Sequence, residues 1–205
     1  MLTFKKARTA AENRKSSETE IVAKVNIDGC GNSKIKTNIG ILDHMLELFA
    51  FHGHFDIDLE VKKADTNIDI HHVNEDIGIV LGKIFRKALG DRQRIRRFGF
   101  GAAPMESTFT EVILDLSGRG YFRLNTQGAL KAGSQEGYSL THLEHFLESF
   151  AHHLGANIIV DIKNICEDLH TNLETIFKAL GLALDQAAQI DQRRQGIPST
   201  KGIID

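Results

Sequence analysis

The sequence predicts an α+β fold written twice: two strand–helix–strand–helix halves, residues 1–92 and 93–205, packed as a sandwich into one compact unit. Three observations predict it. First, Leu42-Asp-His-Met-Leu-Glu-Leu-Phe-Ala50 returns as Leu143-Glu-His-Phe-Leu-Glu-Ser-Phe-Ala151. Six of the nine positions are identical (Leu, His, Leu, Glu, Phe, Ala), at an offset of 143 − 42 = 101. Second, His71-His-Val-Asn-Glu75 returns as His170-Thr-Asn-Leu-Glu174 at an offset of 170 − 71 = 99, and Gly82 and Gly181 fall at matching places. Third, alternating, strand-like segments precede each block. Chance likeness between amphipathic helices does not produce two matched blocks at nearly one offset.

The elements follow in order. Ala7 to Ile27 reads as a hairpin-like pair of strands, with Ile21, Val25 and Ile27 as apolar positions. Leu42 to Ala50 has helical apolar spacing and runs into an alternating stretch, Phe55 to Val61. His71 to Glu75 then leads into a second helix over Ile77 to Ala88. The second half repeats the plan. Arg97 to Ala103 precedes Phe109 to Leu116, closing on Ser117-Gly118-Arg119 where the first half has Asp28-Gly29. A helix over Leu143 to Ala151, a strand over Ala156 to Ile162 and a helix over Ile176 to Ala187 complete it. Each half spans roughly 90–100 residues, the size of one folding unit. The two sheets and two helix pairs are expected to share one core.

Composition narrows the function. Hydrophobic residues make up 41% and charged residues 25% of 205, ordinary for a globular protein, and the formal net charge of −2 gives no electrostatic case for nucleic acid or an anionic membrane. No apolar run approaches a membrane span, and the basic segment Met1 to Arg8 lacks the apolar stretch of a secretory leader. Cys30 and Cys166 form no metal or redox motif, so a reducing, cytoplasmic setting is expected. The ten histidines are the informative feature, because they cluster.

Residues four apart share a helix face, so His71 with Glu75 and His170 with Glu174 can each offer a nitrogen and an oxygen to one ion. Adjacent helix residues diverge by about 100°, so His72 looks elsewhere and could serve the ion held by the other half. With the repeated His44 and His145, symmetry yields two clusters: His44, His72, His170 and Glu174, and His71, Glu75, His145 and the residue at 171. Mixed imidazole and carboxylate ligands suit manganese, iron or zinc. A lone His-x-x-x-Glu is most often a solvated pair. Its recurrence, each time beside a second histidine helix, points instead to metal binding. His54, His142, His152 and His153 lack such pairing and read as surface or packing residues, with His52 intermediate.

Anion-binding candidates lie at the C-terminus and beside the site segments. Ile197-Pro-Ser-Thr-Lys-Gly202 combines the hydroxyls of Ser199 and Thr200, free amides and Lys201 on a turn. Arg97, Arg119 and Lys178 add positive charge. Lys178 also stands four residues after Glu174, the spacing of an ordinary helical ion pair. The run Arg92 to Arg97 reads as a solvated basic loop, with Arg97 at a strand edge.

Eight motifs in register now carry a resemblance. Leu42-Asp-His-Met45, His52, His71-His-x-x-Glu-Asp76, Pro104-Met105, Ser117-Gly-Arg119, Glu144-His-Phe146, Glu174-x-x-Phe-Lys-Ala179 and Pro198-Ser-Thr-Lys-Gly202 together resemble the imidazoleglycerol-phosphate dehydratases. The resemblance implies a duplicated fold of the ribosomal protein S5 domain 2-like type and a homo-oligomer of twenty-four subunits. It also implies a dinuclear manganese site, two Mn(II) per subunit, shared between neighbouring subunits. The implied reaction removes water from imidazole glycerol phosphate, through a metal-bound imidazolate, to give imidazole acetol phosphate in histidine biosynthesis. By similarity, Glu18 falls at a substrate-site glutamate. Arg97, Arg119, Ser199, Thr200 and Lys201 fall at or beside the phosphate site, with Lys178 nearby. Glu18, Glu75 and Glu174 include the expected acid/base groups.

The chain departs from the family pattern in places. Ile70 replaces an aspartate that would orient a metal-bound histidine. Cys166-x-Asp168 replaces Gly-x-Asn, and Pro104-Met-Glu-Ser107 replaces Pro-Met-Asp-Glu. Thr171 stands where a second histidine is expected, so the second cluster lacks an imidazole and water or Asp168 is left to fill the place. The second metal is therefore expected to bind more weakly, or not at all. Two rivals follow: a metal-dependent phosphoester hydrolase, and a non-catalytic relative with one impaired site.

Overall fold

A computed structural model describes residues 7–64, 69–126 and 133–204. Most of the basic Met1 to Arg8 segment lies outside the described residues. The first half comprises β1 (Thr9–Lys15), β2 (Glu20–Asn26), β3 (Ser33–Lys36), α1 (Gly40–His52), β4 (Asp56–Lys63) and α2 (His71–Leu89). The second comprises β5 (Phe98–Met105), β6 (Thr108–Asp115), β7 (Tyr121–Thr126), α3 (Leu140–Leu154), β8 (Asn157–Lys163) and α4 (Leu169–Ala188). The strands form two four-stranded sheets of matching order, β1-β2-β4-β3 and β5-β6-β8-β7.

Two strands, β3 and β7, go beyond the expected plan. Each pairs in parallel with a strand that follows the next helix, β3 with β4 and β7 with β8. A parallel pair joined by a helix leaves no hairpin signal between its members. Ser33-Lys-Ile-Lys36 in addition has one apolar residue with which to show alternation. The halves are therefore strand-pair–strand–helix–strand–helix units, one strand richer than the sequence predicts.

Period-two alternation buries one face of each sheet. Ile21, Ala23 and Val25 of β2 with Ile57, Leu59 and Val61 of β4 are almost fully buried, and Val112, Leu114, Ile158, Val160 and Ile162 do the same in the second sheet. Helices α1 and α2 cover the first face, α3 and α4 the second, and the two helix layers meet as α1 on α4 and α2 on α3. The order sheet, helices, helices, sheet is the duplicated α+β sandwich. Glycine lets the layers approach closely: a Cβ at Gly181 would stand 2.7 Å from the Phe49 carbonyl oxygen, and one at Gly82 2.7 Å from that of Phe150. The glycine recurs with the repeat because each copy admits the backbone of a histidine-bearing helix.

The basic run is not wholly a solvated loop. Arg92 is buried, and its guanidinium donates to the carbonyl oxygens of Leu154 (2.8 Å) and Leu116 (3.4 Å). Burial lowers its pKa to about 10. It ties the ends of β6 and α3 together by donating to carbonyls where the regular ladders stop.

Candidate active site

The two helix seams each hold a half-site. On α1 and α4, His44 Nε2 lies 3.3 Å and His170 Nε2 2.9 Å from Glu174 Oε1, and the two rings stack with centroids 5.2 Å apart. One nitrogen from each histidine and one oxygen from Glu174 fall within 4.8 Å of one another, a spacing that fits a divalent cation. Lys178 Nζ, one turn on, donates to Glu174 Oε2 at 2.5 Å. Burial alone would raise the Glu174 carboxyl, but hydrogen bonds from Lys178, His44 and His170 hold it below the ordinary carboxylate value. His52, at the end of α1, is lowered by burial first and then by Lys178 and His54.

On α2 and α3 the same residue types recur with the halves exchanged, but among the described residues only the α1–α4 group brings three ligand atoms within 4.8 Å of one another. His71 and His145 face each other through their Nδ1 atoms at 3.1 Å, and Glu75 Oε2 lies 3.7 Å from His71 Nε2. An open pocket of about 410 Å³ surrounds them, lined also by Glu148, Ser149, His152 and His153. The last two read from sequence as surface or packing residues, and Glu148 as part of a repeat. Only the packing of α2 on α3 reveals the shared cavity. His142 serves the helix rather than the pocket, because its Nδ1 accepts from the Ser139 N–H at the start of α3 (3.1 Å).

Two residues paired with these clusters by symmetry stand apart within the chain. His72 Nδ1 lies 3.7 Å from Glu18 Oε2 in the β1–β2 turn and belongs to neither half-site. Thr171 is buried, and its amide (3.0 Å) and hydroxyl (2.5 Å) both donate to Asp168 Oδ2. These two bonds, the hydroxyl first, lower the Asp168 carboxyl below its ordinary value. Asp168 is thus occupied as the N-cap of α4 and does not fill the place of a missing imidazole.

A third pocket gathers the anion candidates. Arg97, Ser117, Arg119, Ser199, Thr200 and Lys201 line about 150 Å³ of space. Arg97 is fixed by a bidentate pair with Asp115 (2.7 and 3.1 Å) and by the Pro198 carbonyl (3.0 Å). Lys178 lies with Glu174 instead. The loop bearing Ser117 and Arg119 continues into Gly120, where a Cβ would come 2.3 Å from His152 Cα. The loop that follows the anion pocket therefore packs on the backbone of α3 at His152.

The family model for imidazoleglycerol-phosphate dehydratase matches residues 37–184, which include both half-sites. The chain belongs to the imidazoleglycerol-phosphate dehydratase family. It is 45% identical over 197 residues to the imidazoleglycerol-phosphate dehydratase of Thermoanaerobacter sp., covering 96% of this chain and all of that one. Crystal structures agree. The Pyrococcus furiosus protein aligns with a TM-score of 0.77 at 32% identity over 94% of this chain and 99% of its own, and the Staphylococcus aureus enzyme with 0.77 at 28% over 89% and 99%.

Against the dehydratase pattern, the departures acquire local reasons. Where Ile70 stands for an aspartate, the neighbouring Asp69 accepts from the His71 amide (3.2 Å) and caps α2 from one position earlier. Asp168 and Thr171, two departures from the pattern, are partners of each other.

Proposed function

We propose that this chain works as an imidazoleglycerol-phosphate dehydratase, a hydro-lyase of histidine biosynthesis that converts imidazole glycerol phosphate to imidazole acetol phosphate. The observation that carries the reading is the doubled pairing of a histidine on one helix with His-x-x-x-Glu on its neighbour, in a chain that also gathers a pocket of anion-binding residues. A bound divalent cation, Mn(II) at two per chain in this reading, would supply Lewis acidity that favours the deprotonated substrate ring. His44, His170 and Glu174 would hold one ion, and His71, Glu75 and His145 the other.

The chain's own groups account for the rest. Arg97 is locked by Asp115 before any phosphate arrives, so the Arg97, Arg119, Ser199, Thr200 and Lys201 pocket is preorganised to orient the substrate. The proton to be removed sits on a carbon with no adjacent carbonyl, so a base must stand close to it. Glu174 already receives three hydrogen bonds and suits ligation. Glu18, with a side chain 48% exposed and assigned to neither ion, is the freer carboxylate for proton transfer. His72 and Glu18 reach neither cluster within one chain, which supports completion of the sites by a neighbouring copy in a homo-oligomer of twenty-four. We place the enzyme in the cytoplasm; among the described residues no helix is long and apolar enough to cross a membrane.

Incubation of the manganese-loaded protein with imidazole glycerol phosphate tests the reading. Ketone formation is expected. Release of inorganic phosphate without ketone would favour a phosphoester hydrolase, and an intact oligomer with no product would favour a non-catalytic relative.

A further inference from the structure

Helix α2 presents two stripes of paired residues. His71 and Glu75 face α3, while His72 and Asp76, also four apart, face the β1–β2 turn. Asp76 is 7% exposed, and both of its carboxylate oxygens are engaged. Oδ1 pairs with Arg14 of β1 through Nε (2.9 Å) and Nη2 (2.7 Å). Oδ2 accepts from the hydroxyl of the fully buried Thr19 (2.5 Å), the residue that directly follows Glu18. A carboxylate this buried is costly unless every oxygen is paired, so the clamp is a built feature of the fold.

The turn that Thr19 anchors is braced at further points. Ser16 Oγ accepts from the amides of Glu18 (3.2 Å) and Thr19 (3.0 Å), and Lys63 of β4 donates to the Ser17 carbonyl (2.7 Å). The Glu18 carboxylate then stands beside His72, at 3.7 Å. Packing alone does not ask for a carboxylate under this turn. At the offset of 99 the stripe becomes Thr171 and Thr175, and Thr175 ties α4 to β6 through the Thr110 hydroxyl at 2.7 Å, without charge. The buried aspartate thus occurs in the half whose turn sets a glutamate against a histidine. We propose that Asp76 is a positioning residue: through Thr19 it seats the turn on α2 and so fixes where Glu18 stands relative to His72. Asp76 acts on the substrate only through Glu18. The inference rests on the dehydratase reading above, with Glu18 as a proton-transfer group.

Steady-state kinetics of the full-length, manganese-loaded protein test the role, with folding of each variant checked by circular dichroism. Thr19→Val removes the hydroxyl that Asp76 holds, and Thr19→Ser keeps one. Thr19→Val is expected to lower kcat about tenfold or more with KM within about threefold of wild type, since misplacing a reacting group by about 1 Å costs on the order of 10²-fold. Thr19→Ser is expected to recover most of that loss, and Asp76→Asn to lose at least as much as Thr19→Val. In a Glu18→Gln background the added cost of Thr19→Val should fall below about twofold, because the clamp then has no reacting group to place. Hydrogen exchange gives a readout free of turnover: Thr19→Val should speed exchange of the Glu18 and Thr19 amides and leave α3 and α4 as protected as in wild type. Equal kcat losses in both backgrounds, or unchanged exchange in the turn, would overturn the role of Asp76 and leave the dehydratase reading standing. A wild type that forms no ketone would overturn both.

Discussion

At the scale of single residues, the histidines divide by what their ring nitrogens do. His142 Nδ1 accepts the Ser139 amide, which requires a neutral ring. Burial is the first cause of its lowered pKa, with Asp69 opposing. The folded value therefore lies below the unfolded one of about 6.5. The stability this contact contributes is present above the unfolded value and is lost as pH falls through the folded one. Replacing His142 with Ala should cost about 1 kcal/mol at pH 7.5, as loss of a helix N-terminal cap does. The gap from wild type in thermal unfolding should narrow towards pH 5, and a gap independent of pH would contradict this assignment. Residue identity made the clustered histidines legible, because they recur with their glutamates. It could not reveal His142 as a cap, Arg92 as a buried tie or Thr171 as a partner of Asp168, since each depends on a neighbour that only the folded chain supplies.

At the scale of elements, helix packing sets the half-sites, and glycine sets the packing. Gly181 on α4 sits against the Phe49 carbonyl and the Gly53 amide nitrogen at the end of α1, with a built Cβ at 2.7 and 3.0 Å. Gly181→Ala must push α4 from α1 and part His44 from Glu174 and His170. The overpacking should cost on the order of 1–3 kcal/mol, read as a lower thermal midpoint. It should also weaken Mn(II) binding at the α1–α4 half-site, and unchanged stability and affinity would argue against close helix approach as the device. At the start of α4, Asp168→Ala removes the acceptor of two Thr171 bonds and should destabilise the protein by about 1 kcal/mol. Denaturant titration would detect it as a lower midpoint. The four helices were legible from their 3.6-residue periodicity, and the hairpins from alternation. β3 and β7 were not, because their partners lie beyond a helix and an edge strand such as Ser33–Lys36 buries too little to write a pattern.

At the scale of the whole molecule, duplication explains why sheet, helix and site repeat together. Each cluster takes one histidine from the first helix of one half and a His-x-x-x-Glu from the second helix of the other, so neither half holds a complete half-site alone. The pairing of α1 with α4 and α2 with α3 therefore brings the two halves' histidines and glutamates together as well as packing the core. The exchange was legible from the repeat itself. The anion pocket was not, because Arg97, Arg119 and the 199–201 turn are distant in sequence and meet through the Asp115 and Pro198 contacts. This protein is expected to dehydrate imidazole glycerol phosphate with bound metal. The most direct test measures manganese per chain and ketone formation on the same sample. Close to two manganese per chain, with turnover abolished by chelation and restored by Mn(II), is the predicted result. Bound manganese in an intact protein that forms no ketone would contradict the account.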